Sequence, residues 1–430
     1  MSTYNRVVAA DENASLAPTV RARLATEMAD GTSEVGAYLS DTFAPRLANT
    51  VILFGTSLEA QNGNPINDVD PAVMPSGRGW FNWCDAYLGN SLSLIRNAGV
   101  GGNRTADMLA RLSADVLAYD SDWVFIGAPT NDTSAGTLAS VTVANLTAIY
   151  DAIEATGRRV FQLNLPPNGG TTTTGELEAH FTVSDWIRRL PIARPSVIVA
   201  DPWRALAQAG SMSPATGMAI DTIHWTSGGA EKVGRAAAEA MSSFIPRVPS
   251  YTSHSLDAAT VIANPNFDTS GSGWSILGGG VSGAFSADTD SVFNKCVLTF
   301  SGVTSTGQLG AEYVENISGG RFAAGDVVQL SARIRWTGVT TLGVVCLPRP
   351  MLRLALRNVD SSYATQTDWL TVAGTEQRIP VGFPASGDAV IATSRFTVGA
   401  DVDRMHVRAG FSGISDGTVT VTELSARKIT

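Results

Sequence analysis

A serine, an aspartate and a histidine in this sequence have the types and surroundings of a hydrolytic relay. Ser57 lies in Gly55-Thr56-Ser57-Leu58, directly after the apolar run Val51–Phe54. A serine in a glycine turn at the end of a buried strand is held with its hydroxyl toward a cleft. Serine is a weak nucleophile at neutral pH and needs an adjacent base. Histidine is the side chain that titrates near neutrality. Of the four histidines in the chain, His180 and His224 fall in the same half as Ser57. His224 closes the stretch Asp221-Thr222-Ile223-His224. An aspartate three residues before a histidine reaches the ring nitrogen turned away from the serine, where it fixes the tautomer and stabilises the imidazolium. These types and spacings point to Ser57 as nucleophile, His224 as base and Asp221 as its orienter.

Acyl transfer also needs donors for the developing oxyanion, and losing one typically costs about 3–4 kcal/mol of transition-state stabilisation. Two segments offer them. Asn97-Ala98-Gly99-Val100-Gly101-Gly102-Asn103 exposes backbone N–H groups, and Pro129-Thr130-Asn131-Asp132 offers the Asn131 side-chain amide. Each motif alone is an ordinary turn, cap or loop. Their joint order carries the reading: serine after the first strand, glycines after the second, Asn-Asp after the third, and Asp-x-x-His before the last helix.

In that order the four blocks resemble the SGNH, or GDSL-type, hydrolases, over the segment from about Val51 to Ser242. The resemblance implies an oxyanion hole of Ser57, Gly102 and Asn131, with Gly101 as the alternative to Gly102. It implies a three-layer, flavodoxin-like α/β fold, and neither metal nor other cofactor. Two positions depart from the family pattern. Its acidic residue before the serine is Thr56 here, and the glycine of its Gly-x-Asn-Asp block is Pro129. Trp225, after the base, and Thr56, beside the nucleophile, are candidates for the substrate pocket, with simple packing the other reading of Trp225. His180, near Glu176 and Glu178, reads as a surface histidine. The loop Asn62–Arg78 reads as a wall of the substrate cleft, metal binding by its acids being the other option.

The elements that must position these residues follow from hydropathy. Val51–Phe54, Leu92–Arg96, Trp123–Ile126, Val160–Leu165 and Val197–Ala200 are short apolar runs. Between them lie helical patterns, such as Leu146, Ile149, Tyr150 and Ile153 at i, i+3, i+4, i+7. A last helix is expected from about Gly229 to Ser242. Apolar strands separated by helices predict βαβ units, a parallel sheet covered on both faces, and a site at the strands' carboxyl ends. The chain divides into a helical arm over residues 1–48, the hydrolase domain over 49–248, a linker over 249–260 and an all-β sandwich over 261–430. The sandwich is read from the period-two stretches Val327–Trp336, Arg404–Phe411 and Thr418–Leu424.

Composition sets bounds. A net charge of −9 argues against a nucleic-acid binder. From Tyr251 onward 15 acidic residues nearly balance 13 basic ones, which argues against a polyanion groove in that half. Cys84, Cys296 and Cys346 lie too far apart for metal ligation, and Cys296 and Cys346 read as buried thiols rather than a disulfide. No apolar run reaches the 18 residues of a membrane span, and no secretory signal is expected.

Asn264-Pro265-Asn266-Phe267-Asp268 followed by Gly273-Trp274 resembles the opening of carbohydrate-binding-module-like jelly rolls. Trp274, Trp336, Tyr363 and Trp369 are the candidate sugar platforms, Trp274 and Trp336 reading rather as core. Pro18-Thr19-Val20-Arg21 and Asp30-Gly31-Thr32-Ser33-Glu34-Val35-Gly36 resemble arms that open tail proteins of phages infecting actinobacteria. The strong preference for arginine over lysine fits the GC-rich genome that this implies; the only lysines are Lys232, Lys295 and Lys428. The expectation is a homotrimeric virion tail protein, released by host lysis, that hydrolyses O-acetyl or acyl esters on host surface polysaccharide or cell-wall glycolipid. Its arm would join other tail proteins. The alternatives are a secreted bacterial carbohydrate esterase with a sugar-binding module, and a non-catalytic receptor-binding tail protein on a hydrolase scaffold.

Overall fold

A computed structural model describes residues 49–63, 76–245, 259–268, 270–289, 293–305, 307, 309–342, 348–369 and 383–428. The expected arm helices, the polar linker up to residue 258, most of the loop after Asn62, and Cys346 lie outside them.

Five strands form a parallel sheet in the order β2-β1-β3-β4-β5. They are β1 (Thr50–Gly55), β2 (Ser93–Gly99), β3 (Trp123–Ile126), β4 (Arg159–Leu163) and β5 (Val197–Ala200). All five apolar runs became strands. The second extends further than expected, because Gly55 stays in register with Gly99. The sheet is covered on both faces, so every side chain of Val51–Phe54 is fully buried. Alternate residues serve opposite layers. Val51, Leu53, Phe125 and Phe161 pack with α2 (Trp80–Tyr87) and α8 (Ser227–Met241). Ile52, Phe54, Val124 and Ile126 pack with α3 (Thr105–Leu112), α5 (Ala139–Glu154) and α6 (Thr174–Ala193). The stripe Leu146, Ile149, Tyr150, Ile153 is the buried face of α5. Short helices α1 (Ser57–Ala60), α4 (Thr130–Ser134) and α7 (Trp203–Leu206) follow β1, β3 and β5. Neighbours β2 and β3 flank β1 on opposite sides, so the chain switches direction there and opens a crevice at the carboxyl edge.

The C-terminal half is antiparallel. One sheet has the order β13-β10-β16-β8-β7, with β14 also on β10; the other is β12-β11-β15-β9-β6. The strands are β6 (Trp274–Leu277), β7 (Val281–Ala287), β8 (Asn294–Phe300), β9 (Leu309–Asn316), β10 (Val327–Thr341), β11 (Arg349–Asn358), β12 (Tyr363–Asp368), β13 (Gly387–Ala392), β14 (Phe396–Thr397), β15 (Val402–Ser412) and β16 (Ile414–Lys428). Inward residues of both sheets, such as Leu330, Ile334, Leu354, Val407 and Val421, share one core. That core is continuous with the α2/α8 layer of the hydrolase half. Trp83 of α2 meets Trp369 edge to face, with ring centroids 5.0 Å apart. The end of the expected linker belongs to the sandwich, since Thr260 bridges Arg427 and Ala259 O accepts from Lys428 N. Trp274, Trp336 and Trp369 are buried, which leaves Tyr363, 44% exposed, as the accessible aromatic of the four. Cys84 and Cys296 are buried free thiols.

His180 corrects an expectation. It is fully buried, not on the surface, because α6 turns this face inward against Trp203. Neither ring nitrogen has a partner among the described residues. Burial, reinforced by the Arg188 charge, lowers its pKa to about 4. The unfolded chain takes up this proton near pH 6.5, so the contribution is intact above pH 6.5 and lost as pH falls toward 4. His180→Phe is expected to remove this dependence. The difference between variant and wild-type unfolding free energies should grow by up to roughly 3 kcal/mol between pH 6.5 and 4. Parallel denaturant titrations at both ends of that range would measure it.

Candidate active site

The carboxyl edge of the parallel sheet gathers four loops. The turn after β1 starts α1 at Ser57. The loop after β2 carries Gly101 and Gly102, the latter with φ +80°, where glycine avoids the strain a side chain would meet. The turn after β3 starts α4 and carries Asn131. The loop before α8 carries Asp221 and His224.

Ser57 Oγ lies 2.8 Å from His224 Nε2, and His224 Nδ1 lies 2.7 Å from Asp221 Oδ2. The other Asp221 oxygen accepts the Ile223 and His224 N–H groups at 2.8 and 2.7 Å. Burial pushes the Asp221 pKa up, but these hydrogen bonds outweigh it and hold the carboxyl below its usual value. An ionised carboxylate therefore faces one ring nitrogen while the serine hydroxyl faces the other. This order lets the imidazole accept the serine proton and be stabilised as a cation.

Of the two glycines, Gly101 lies beside the serine. A Cβ on Gly101 would sit 3.9 Å from that of Ser57, whereas one on Gly102 would meet nothing within 4 Å. Asn131 Nδ2 donates to Asn103 O at 2.8 Å with one of its two hydrogens, leaving the second for a ligand. Asp132 beside it is buried and accepts from Thr105 N at 2.9 Å and Thr105 Oγ1 at 2.5 Å, joining the Asn-Asp turn to the start of α3.

Two other sequence candidates are corrected. Trp225 is fully buried in the α2/α8 layer, where an isolated bridge to Ala219 fixes its backbone, so it is core rather than a pocket wall. Thr56 is also buried, its N–H donating to Glu59.

Three supporting residues went unread in the sequence. Glu59 is fully buried beneath the serine turn. It accepts from Thr56 N at 2.8 Å and Trp80 Nε1 at 3.2 Å, wedged where a side chain on Gly55 or Gly127 would collide with it. Burial raises its pKa to about 7 despite those hydrogen bonds. Its signal was the capping-box spacing from Thr56 to Glu59. Asn97 holds Glu59 O and Gly63 O with its amide and receives Gly99 N. Arg111 of α3 donates to Gly55 O at 2.7 Å, Ala98 O at 2.8 Å and Asn103 Oδ1 at 2.7 Å. Asp115 and the ring of Phe54 hold its guanidinium in place. One planar fork thus ties the ends of β1 and β2 to the far end of the glycine loop. Only its i,i+4 spacing to Asp115 was visible in sequence. Among the described residues no group of three or more His, Cys, Asp or Glu side chains could hold a metal ion.

Residues 53–232 match the GDSL-like lipase/acylhydrolase family. No curated protein sequence matches the chain. Among solved structures it is similar to a lipolytic protein of the G-D-S-L family from Desulfitobacterium hafniense, at 16% identity and TM-score 0.36, over 45% of this chain and 99% of that one. It is similar to a lipase/acylhydrolase from Enterococcus faecalis, at 22% identity and TM-score 0.36, over 45% and 96%. A catalytic mutant of an acetylxylan esterase from Geobacillus stearothermophilus is likewise similar, at 14% identity and TM-score 0.38, over 45% and 94%.

Arg111→Met removes the fork while keeping its length and apolar stem. Loosening the glycine loop and Asn131 together is expected to lower kcat on p-nitrophenyl acetate about 10- to 100-fold, with KM within roughly threefold of wild type. Steady-state kinetics on the two proteins check it, and an unchanged kcat would refute the clamp.

Proposed function

We propose that this SGNH-type esterase, whose residues 53–232 match the GDSL-like lipase/acylhydrolase family, removes O-acetyl or acyl groups from a cell-surface polysaccharide or cell-wall glycolipid. The observation that carries the reading is the hydrogen-bonded line from Ser57 through His224 to Asp221.

In this mechanism Ser57 Oγ attacks the ester carbonyl as His224 Nε2 takes its proton. Negative charge on the carbonyl oxygen is met by the N–H groups of Ser57 and Gly102 and by the Asn131 amide. The intermediate collapses, His224 returns the proton to the departing alkoxide, and the glycan leaves as a free alcohol. A water, deprotonated by His224, then attacks acyl-Ser57, and the Oγ–acyl bond breaks as His224 returns that proton to Ser57 Oγ and the carboxylic acid leaves. Asp221 stays ionised throughout and steadies the imidazolium.

We further propose the setting of a virion tail protein acting at the host surface, its arm joining other tail proteins and a homotrimer as its assembly. The arm segments Pro18–Arg21 and Asp30–Gly36 and the arginine bias support this setting. The attached β-sandwich supports a polymeric substrate that has to be held as well as cut.

Wild type is expected to release acetate from p-nitrophenyl acetate and from acetylated xylan. Ser57→Ala should lose about 1000-fold or more of that turnover. Equal turnover by both proteins would end the serine-esterase reading. Light scattering on the full chain is expected to give three times the 45.0 kDa monomer mass, and a monomer would remove the trimer.

A further inference from the structure

The peptide unit that enters the serine turn is gripped at both ends. Its oxygen, Gly55 O, accepts from the Arg111 guanidinium at 2.7 Å, and its N–H, on Thr56, donates to Glu59 Oε2 at 2.8 Å. A peptide dipole is negative at the oxygen and positive at the N–H. A cation therefore stands at the negative end and a carboxyl group at the positive end. The two grips come from different layers. Arg111 belongs to α3, on one face of the parallel sheet, whereas the Glu59 carboxyl meets Trp80 of α2, on the other. Ser57 follows this peptide unit directly.

Two glycines make the room for that carboxyl. A Cβ on Gly55 would fall 2.2 Å from Glu59 Oε2, and one on Gly127, just after β3, 2.1 Å from it. Asn97 and Asn62 hold the Glu59 backbone oxygen at 2.8 and 2.9 Å, which fixes the start of the side chain. Glu59 is fully buried, and its carboxyl receives hydrogen bonds from Thr56 and Trp80. Both partners donate. An ionised carboxylate only accepts, whereas protonation turns one of its oxygens into a donor. Protonation therefore removes an acceptor from a site built of donors. The titratable groups on the surrounding elements are Cys84, Asp85 and Tyr87 of α2, Arg111 at Gly55 O, and His224 at Ser57 Oγ. None of them is among the causes that shift Glu59: burial opposes its ionisation, and hydrogen bonds from Thr56, Trp80 and its own backbone favour it.

We propose that Glu59 is a positioning residue for the acyl transfer: its ionised carboxylate draws in the Thr56 N–H against the hold of Arg111, so that Ser57 leaves the turn with Oγ toward His224 and its own N–H toward the oxyanion, and protonation releases that grip. The proposal rests on the serine-esterase reading. The grip opposes stability. Burial raises the Glu59 pKa from 4.5 to about 7, so the folded chain holds this proton more tightly than the unfolded one. The stabilising contribution is full below pH 4.5 and is lost as pH rises through about 7. A residue kept for folding alone makes activity and stability move together. Glu59 makes them move apart as pH rises.

Steady-state kinetics of the full chain on p-nitrophenyl acetate at about pH 5 and pH 8, with thermal melts at both, test the proposal. Glu59→Gln keeps the shape of the side chain, but its amide sets a donor against one of the two N–H groups. Its kcat is expected to lie about tenfold or more below wild type at the higher pH. At the lower pH, where wild-type Glu59 is itself protonated, kcat should come within roughly threefold of wild type, and KM should stay within roughly threefold at both. Over the same range the melting temperature of the variant should rise relative to wild type, because the variant has no charge to bury. Trp80→Phe removes one donor and is the second variant, should Glu59→Gln not fold. With less support for the ionised form, the acid limb of its kcat should move to higher pH by about one unit. A kcat ratio that is the same at both pH values, or a melting-temperature difference that does not change between them, would overturn the positioning role and leave the esterase intact. No turnover by wild type, or undiminished turnover by Ser57→Ala, would end the esterase reading and this inference with it.

Discussion

The 2.8 Å contact between Ser57 Oγ and His224 Nε2 joins residues 167 positions apart. No local propensity can enforce such a distance. It exists because β1 is buried on both faces and α8 packs across one of them, so the two loops they carry are fixed by the core. A hydrogen bond weakens steeply once its geometry is lost, so the chemistry inherits its tolerance from the packing of Val51, Leu53, Phe125 and Val233. The site is accordingly the sheet's product more than the loops'.

Beneath that contact the fold accepts an unusual burden. A fully buried glutamate sits under the serine turn, and an arginine reaches through the glycine loop to three acceptors. Buried ionisable groups destabilise unless their hydrogen bonds are met. Glu59 meets its own from Thr56 N and the Trp80 indole, and the partly buried Arg111 from Gly55 O, Ala98 O and the side chains of Asn103 and Asp115. Their desolvation is the counterpart of a rigid elbow, since each loop end is held by a group that cannot find an equal partner elsewhere.

The strands and the triad were legible in the sequence for a physical reason. A parallel strand covered on both faces needs an unbroken apolar run, and Val51–Phe54 or Trp123–Ile126 has few other uses. Ser57, Asp221 and His224 were legible because their residue types and order are chemically restrictive. The supports were less so. Arg111 acts through backbone carbonyls, which every sequence has in equal number, and only three-dimensional register selects Gly55, Ala98 and Asn103. His180 misled because the neighbouring Glu176 and Glu178 suggest a wet face, whereas its own side chain turns one step around α6 to Trp203. Trp225 misled because adjacency in sequence to the base says nothing about direction, and the bridge to Ala219 turns it inward.

The edge-to-face meeting of Trp83 with Trp369 limits where the chain can be divided. Modules joined by a flexible tether can be shuffled, because each keeps its own interior. Here the two interiors are one, and an indole from each half supplies the seam. Separating the halves would strand both rings in water and leave α2 without part of its floor. Cutting the chain between them would therefore expose two unfinished interiors, not release two finished modules.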